Sequence, residues 1–381
     1  MITDIPKMHY VASSVPDHEA IKERGPNPST KAGSKRTIFV AESIGFNSVL
    51  IVQGPGNKPG IFNAKKQSLT KNVSVYYLPL VNLFLFGKSV SKFFFSWSLF
   101  VYLLKEVKKG EWVMLYNCNI FQVLPVVLAK WIKRFKFILH IEEIYSYERV
   151  RIRKFAQNIA SNNSNGLLTV NKEIVEYINY SKPYLITRGY GTYKDEYINH
   201  YSEINKPVLL YSGRLEYLGG AELILEAIPF IKKECKLVVC GIGILDSKFE
   251  NYISTNSNVE YEYVGLLSDE KYYNILINSN IGLNPIRTNE AFSQLSFPSK
   301  ILQYLEFGCQ VVSSYIPAVE ELGELKKYII DYKHDTGAEL ADAINRSLEL
   351  TVNKHEIIAE MKEHFIQERS KLSSFFQKMN Q

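Results

Sequence analysis

The stretch FPSKILQYLEFGCQVVSS, residues 297–314, decides how the chain folds. At 100° per residue, Ser299, Lys300 and Gln303 fall within one arc, and Ile301, Leu302 and Leu305 fall on the opposite side. A helix here has one face to bury and a polar face left over. Pro298 suits its first turn, where an amide would lack a partner, and Gly308 suits the C′ position that ends it. CQVVSS then reads as a buried strand, so the stretch is the second half of a βαβ unit.

The same alternation runs along most of the chain. In the first half MHYVASS, SVLIVQG, VSVYYLPL, WVMLYN, FKFILHIEE and GLLTV read as strands between helical patterns, one of them a helix at about 33–43. The segment at about 185–206, LITRGYGTYKDEYINHYSEINKP, is polar and tyrosine-rich and breaks the series. A second series follows with VLLYSGR, KLVVCGIG, VEYEYVG, IGLNPI and CQVVSS. Two consecutive α/β series imply two Rossmann-like parallel-sheet domains facing a central cleft, with ligands at the carboxyl ends of the strands. The expected division is 1–190, a linker at 191–206, 207–362, and a C-terminal helix at 363–381 that packs back on the first domain.

At 381 residues and 46% hydrophobic, the chain can bury two cores, and its 22% charged fraction excludes disorder. The net charge of +6 conceals an asymmetry. Residues 1–190 carry 26 Lys and Arg against 12 Asp and Glu, a net +14, whereas 191–381 carry 19 against 27, a net −8. The basic half is the one expected near an anionic partner. Its cations are scattered rather than gathered in a reader motif, which argues against nucleic acid. Cys118, Cys235, Cys240 and Cys309 stand singly beside apolar runs, with no CxxC pair, so buried thiols are expected and no metal site. The start, MITDIPKMHY, lacks the apolar run of a secretory signal, and a cytoplasmic location is expected.

Residues 78–104, LPLVNLFLFGKSVSKFFFSWSLFVYLL, are interrupted by Gly87, Lys88 and Lys92. The longest clean apolar stretch has 12 residues, against the ~20 that a spanning helix needs. Two readings stay open. A buried helix explains part of the segment, and the aromatic and lysine mixture at 83–96 also suits a surface that dips into a bilayer interface. The second reading puts the protein in peripheral contact with anionic lipid at the inner face of the cell membrane.

The second half carries four signals in order. In YSGRLEYLGGAELILEA, residues 211–227, Arg214 follows a strand and is placed to grip a diphosphate. VVCGIGI, 238–244, sets Gly241 and Gly243 directly after a strand, which any tight turn also requires. In YVGLLSDEKYYNIL, 263–276, a base can lie near Gly265 and Leu266, and Ser268 reads as an N-cap. In the fourth, the free amides of Ser299 and Lys300 face an anion at a helix start, Lys300 adds a full charge, and Gln303 can bond a ribose. Glu290, just ahead of that helix, is the carboxylate placed to meet a donor sugar.

These motifs, over about 207–315, resemble the family-4 retaining glycosyltransferases of the GT-B fold, and among them the members whose helix begins FPSK in bacterial surface-polysaccharide synthesis. The resemblance implies transfer of a sugar from a nucleoside diphosphate sugar to a hydroxyl of a glycan or lipid-linked saccharide. It implies retained anomeric configuration, no metal or other cofactor, and a product such as O-antigen or capsule. It gives Arg214, Ser299 and Lys300 to the diphosphate, Gln303 to the ribose and Glu290 to the sugar. Two positions depart from the family: Gly219 stands where a lysine is usual, and Gln303 where the second glutamate of a paired signature is usual, with Leu295 eight residues earlier.

In the first half the resemblance implies a glycine-rich turn against the diphosphate, matched loosely by Gly33 between Lys31 and Lys35. His140, Glu142 and Glu143 end the strand FKFILHIEE. His140 is expected to bond a sugar hydroxyl, and Glu142 and Glu143 to orient the acceptor. Arg149 and Arg153, four apart, share a helix face. Two rival functions remain, a GT-B nucleotide-sugar epimerase and a non-catalytic nucleotide- or glycan-binding scaffold.

Overall fold

A computed structural model describes residues 6–12, 29–52, 60–82, 87–144, 150–189, 206–288 and 291–380. The chain divides into two compact units, Met1–Tyr190 with Ile366–Gln381, and Gly191–Phe365. Each is an α/β unit built on a mostly parallel sheet.

In the first unit the strands are β1 (Lys7–Ala12), β2 (Asn47–Val52), β3 (Gly60–Phe62), β4 (Lys65–Ser68), β5 (Val73–Tyr77), β6 (Leu80–Asn82), β7 (Trp112–Tyr116), β8 (Lys136–Ile141), β9 (Gly166–Thr169) and β10 (Tyr184–Ile186). Eight of them form one sheet in the order β10, β9, β8, β7, β1, β2, β5, β4, antiparallel only at β4. β3 and β6 form a separate antiparallel pair. The core strands are continuous apolar runs because helices cover both faces. Helix α1 (Ser29–Ser43) joins β1 to β2. Helices α2 (Gly87–Glu106), α3 (Ile120–Lys133) and α4 (Val150–Asn163) each step in the opposite direction along the sheet. Right-handed crossovers therefore put α2, α3 and α4 on one face and α1 on the other.

The second unit holds β11 (Val208–Ser212), β12 (Cys235–Cys240), β13 (Val259–Gly265), β14 (Ile281–Asn284), β15 (Gln310–Ser314) and β16 (Ile329–Tyr332). They pair in parallel in the order β13, β12, β11, β14, β15, β16. Numbered from its own first strand this is 3-2-1-4-5-6, the doubly wound order whose reversal point opens a crevice at the strand ends. The reversal lies between β11 and β14 here, and between β1 and β7 in the first unit.

Several local expectations are corrected. Gly33 lies inside α1 rather than in a turn ahead of it, since the helix starts at Ser29. In a helix interior its amide is engaged with the preceding turn, and burial of Phe39 and Val40 outweighs the glycine penalty of about 1 kcal/mol. Residues 78–104 divide into β6 and α2, with 83–86 outside the described residues. Among the described residues no helix is long and apolar enough to cross a membrane. Pro298 occupies the N-cap, one position before the helical turn, and Ser268 sits at a cap position without a side-chain bond. Gly308 takes φ +74° just after its helix, as a C′ residue does. Most of the 191–206 linker and Arg149 lie outside the described residues.

The last helix, Lys354–Asn380, contributes its final part to the first unit. Phe376 is fully buried there, edge-on to Phe46 and Trp112 with ring centroids 5.6 Å away in both cases. Phe376→Ala empties this aromatic cluster and is expected to cost about 3–5 kcal/mol. Urea unfolding followed by Trp112 fluorescence reads the loss, and an unchanged midpoint would contradict the role given to this helix.

Candidate active site

In the second unit three strand ends are laced together by backbone. The Gly213 amide donates to Cys240 O and the Gly241 amide to Gly265 O, each at 2.9 Å. Gly241 has φ +142°, and a Cβ there would fall 1.7 Å from Gly213 O, so only glycine lets these ends approach so closely. After α5 (Lys172–Tyr177) of the first unit, the second holds α6 (Ala221–Ala227), α7 (Asp246–Glu250), α8 (Asp269–Ile277), α9 (Ala291–Gln294) and helix α10 (Ser299–Glu306). Helix α10 carries Ser299, Lys300 and Gln303. It delivers its polar arc to this place. Lys300 is half-buried overall, but its amine lies hard against Gly213: a Cβ on that glycine would fall 1.8 Å from Nζ. The same amine stands 5.3 Å from the centroid of the Tyr211 ring.

Burial brings the Lys300 amine down to about 8, with Cys240 pulling the other way and no carboxylate of the described residues among its influences. The unliganded cation is therefore poorly compensated. Tyr304, on the buried side of α10, fixes its depth. The Ser212 amide donates to Tyr304 Oη at 3.0 Å, and that hydroxyl reaches Leu283 O at 3.4 Å, which ties α10 to both strands at the reversal point. Tyr272 donates to Gln303 Oε1 at 3.0 Å and contacts Ser212 Oγ at 3.1 Å. The Gln303 amide N–H groups remain to meet a hydroxyl.

Other expected residues are less engaged. Arg214 follows Gly213, but its side chain is 74% exposed and pairs with Glu216 at 3.3 Å. Ser299 is exposed, and Leu266 is exposed beside Gly265. Glu290 lies outside the described residues. Near Gly219, Arg287 pairs with the buried Glu222, its Nε donating at 2.8 Å, and its amide donates to Leu218 O.

In the first unit a polar network fills the reversal point between β1 and β7. Tyr10 Oη is 2.5 Å from His140 Nδ1, and His140 Nε2 is 3.1 Å from Glu142 Oε1. Tyr116 donates to Glu142 Oε2 at 2.9 Å, and Arg36 pairs with the same carboxylate through Nε. Arg36 also donates to Gly189 O at 3.0 Å and to Thr187 O at 2.6 Å. His140 is fully buried, with Tyr10 at Nδ1 and Glu142 near Nε2, so in this structure the ring expected to bond a sugar hydroxyl is enclosed by protein. Glu143 is half-buried next to it. Arg36, Tyr10 and Tyr116 are not singled out by the sequence: an arginine beside Lys35 on a helix, and tyrosines in strands, carry no signal of their own.

Burial alone would raise the Glu142 carboxyl, but Arg36, then His140 and Tyr116, outweigh it and hold it at about 2. Burial lowers His140 against the pull of Glu142, so the ring is neutral, with the proton on Nε2 facing the carboxylate and Nδ1 accepting from Tyr10.

Residues 206–349 match the family described as Glycosyl transferases group 1. The second unit carries a glycosyltransferase group 1 domain. No curated protein matches the chain. Among solved structures, the lipopolysaccharide outer core galactosyltransferase WaaB superposes with a TM-score of 0.66 at 13% identity, over 98% of this chain and 99% of that one. HepE from Anabaena, solved with UDP, gives 0.65 at 12% identity over 98% and 100%. Sucrose-phosphate synthase from Thermosynechococcus elongatus gives 0.65 at 12% over 98% and 96%. The fold is GT-B, and with its group 1 domain the chain is a transferase.

Two predictions follow from this geometry. Lys300 holds its proton less firmly folded than unfolded, so unliganded stability should rise as pH climbs from below 8 toward 10.5, while diphosphate affinity falls over the same climb. Lys300→Met should flatten both curves, measured by thermal unfolding and by calorimetric titration across that range. Glu142 has the opposite arrangement, a depressed carboxyl whose stabilisation is complete above about 4.5 and is lost as pH falls toward 2. Glu142→Gln leaves Arg36 buried without its partner and is expected to cost on the order of 3 kcal/mol at neutral pH. Urea titrations between pH 2 and 5 should lose part of their slope in the variant, and parallel slopes would refute the pairing.

Proposed function

We propose that the chain transfers a sugar from a nucleoside diphosphate sugar to a hydroxyl of a glycan or lipid-linked saccharide, with retention at the anomeric carbon. The observation that carries this reading is the Lys300 amine, buried against Gly213 at the strand-order reversal with no carboxylate among the described residues to neutralise it. A diphosphate supplies that missing charge. Because the charge it gains on leaving is met by a preorganised cation in a partly desolvated place, Lys300 favours departure over ground-state binding.

The C1–O bond to the diphosphate breaks as the acceptor oxygen bonds C1 on the same face, and the acceptor proton passes to a departing phosphate oxygen. Arg214, exposed and able to swing from Glu216, adds a second cation when ligand is present. Gln303 holds a ribose hydroxyl through its amide, and Gly265 and Leu266 lie against the base. Glu290 orients the donor sugar. In this scheme side-chain cations neutralise the leaving group and no metal is needed. Likeness to WaaB, a lipopolysaccharide outer core galactosyltransferase, and to HepE, solved with UDP-glucose, supports a role in building surface polysaccharide. The proposal sets the acceptor at the inner face of the membrane.

A thermal-shift panel of UDP, GDP, ADP and dTDP should single out one nucleotide. Lys300→Ala should weaken that ligand by about tenfold or more, and Arg214→Ala by less, as expected of a solvated cation. Gly213→Ala is the sharper probe: its Cβ chiefly displaces the end of the flexible Lys300 side chain and presses on Tyr211 Oη at 3.3 Å, so affinity should fall by more than stability does. Undiminished binding by all three variants would remove the site. Proton NMR of the product, with donor and product sharing one anomeric configuration, tests retention; inversion would overturn it.

A further inference from the structure

The three helices on one face of the first sheet leave their outer side uncovered by any described element. They are bound to one another: Ser96 Oγ of α2 donates to Phe121 O of α3 at 2.7 Å, Lys133 Nζ to Leu104 O at 2.7 Å, and Trp131 Nε1 to Asn163 Oδ1 of α4 at 3.1 Å. Phe93 and Trp97 on α2, Leu128 and Trp131 on α3, and Ile152 and Phe155 on α4 are all exposed, Trp97 by 58% and Trp131 by 66%. Their spacings of three or four residues put each pair on one stripe of its helix. Six large apolar side chains about half exposed amount to an apolar area on the order of several hundred Å², more than a monomer leaves bare without use.

The charge on the same helices is nearly all of one sign. The three segments carry Lys88, Lys92, Lys105, Lys130, Lys133, Arg151, Arg153 and Lys154 against the single acid Glu106. On α4 the cations alternate with the apolar side chains, Arg151 and Arg153 flanking Ile152 and Lys154 preceding Phe155, and all are exposed. A second copy is a poor occupant, because a symmetric contact would set these cations against themselves. Protein partners favour a patch whose centre is depleted of charge. Tryptophan and phenylalanine among lysine and arginine match the headgroup boundary of an anionic bilayer, where rings enter the acyl edge and cations meet phosphate.

We infer that the outer face of α2, α3 and α4 is a docking surface for anionic lipid bilayers. It deepens the acceptor side of the function proposed above, but vesicle binding is read without donor or sugar, so failure of transferase activity leaves it standing. Of the three tryptophans, Trp97 and Trp131 lie on this face and Trp112 is buried in the core. Intrinsic fluorescence therefore reports directly on the face.

The full chain should co-sediment with phosphatidylglycerol-containing vesicles and not with pure phosphatidylcholine, and added salt should weaken the binding. Brominated phosphatidylglycerol should quench the exposed tryptophans. Phe93→Ser with Trp97→Ser should lower partitioning about tenfold or more, and Arg151→Glu with Arg153→Glu should do the same, with nucleotide thermal shifts in the second unit unchanged. Absence of quenching, partitioning of both double variants equal to that of the unaltered chain, or binding that is indifferent to lipid charge would overturn the assignment. So would a stable dimer in sedimentation velocity that both double variants dissolve.

Discussion

The second unit's site depends on keeping an ammonium group where burial disfavours it. Among the described residues Lys300 has no carboxylate beside its amine, which meets the Tyr211 ring, the bare backbone of Gly213 and the influence of Cys240. Helix packing offsets that cost. Ile301, Leu302, Tyr304 and Leu305 are completely buried, and the Tyr304 hydroxyl pins α10 to the ends of β11 and β14. The apolar side of the helix thus holds the polar side in an electrostatic position it would not choose, and an anion relaxes it.

The first unit solves the corresponding problem in the opposite way. At its own strand-order reversal the charges cancel internally: Arg36 meets Glu142, and neutral His140 bridges from Tyr10 to the same carboxylate. Arg36 then spends its remaining donors on the carbonyls of Thr187 and Gly189. One unit therefore presents a cation that no described carboxylate compensates, and the other a cluster whose opposite charges face one another around a partly exposed carboxylate.

The parallel core strands were legible in the sequence because burial on both faces demands unbroken apolar runs such as SVLIV and KLVVC. β4 escaped notice, since KKQS is an exposed edge strand with no apolar pattern, and β10 and β16 are short edges too. Lys300 and Gln303 could be found because amphipathic periodicity separates them from the buried side of their helix. Tyr304 hid on that buried side, where an aromatic looks like ordinary core. Arg36 hid for another reason: the carbonyls it holds lie about 150 residues away in sequence, and no local pattern encodes such a distance. The enclosure of His140 could not be read either, because a polar residue at a strand tip looks solvent-directed until Tyr10 and Glu142 are seen around it.

The return of the last helix to the first unit has a consequence for biosynthesis. Phe376 completes the aromatic cluster around Trp112, and Glu368 accepts the Arg188 amide at 2.7 Å, so residues made after the second unit finish a unit whose sheet emerges from the ribosome before it. The nascent first sheet must wait, with the flank of Trp112 uncovered, while the whole second unit is made. The second unit, contiguous in sequence, can close as soon as it is synthesised, whereas the first is completed only once residues beyond Phe365 have followed.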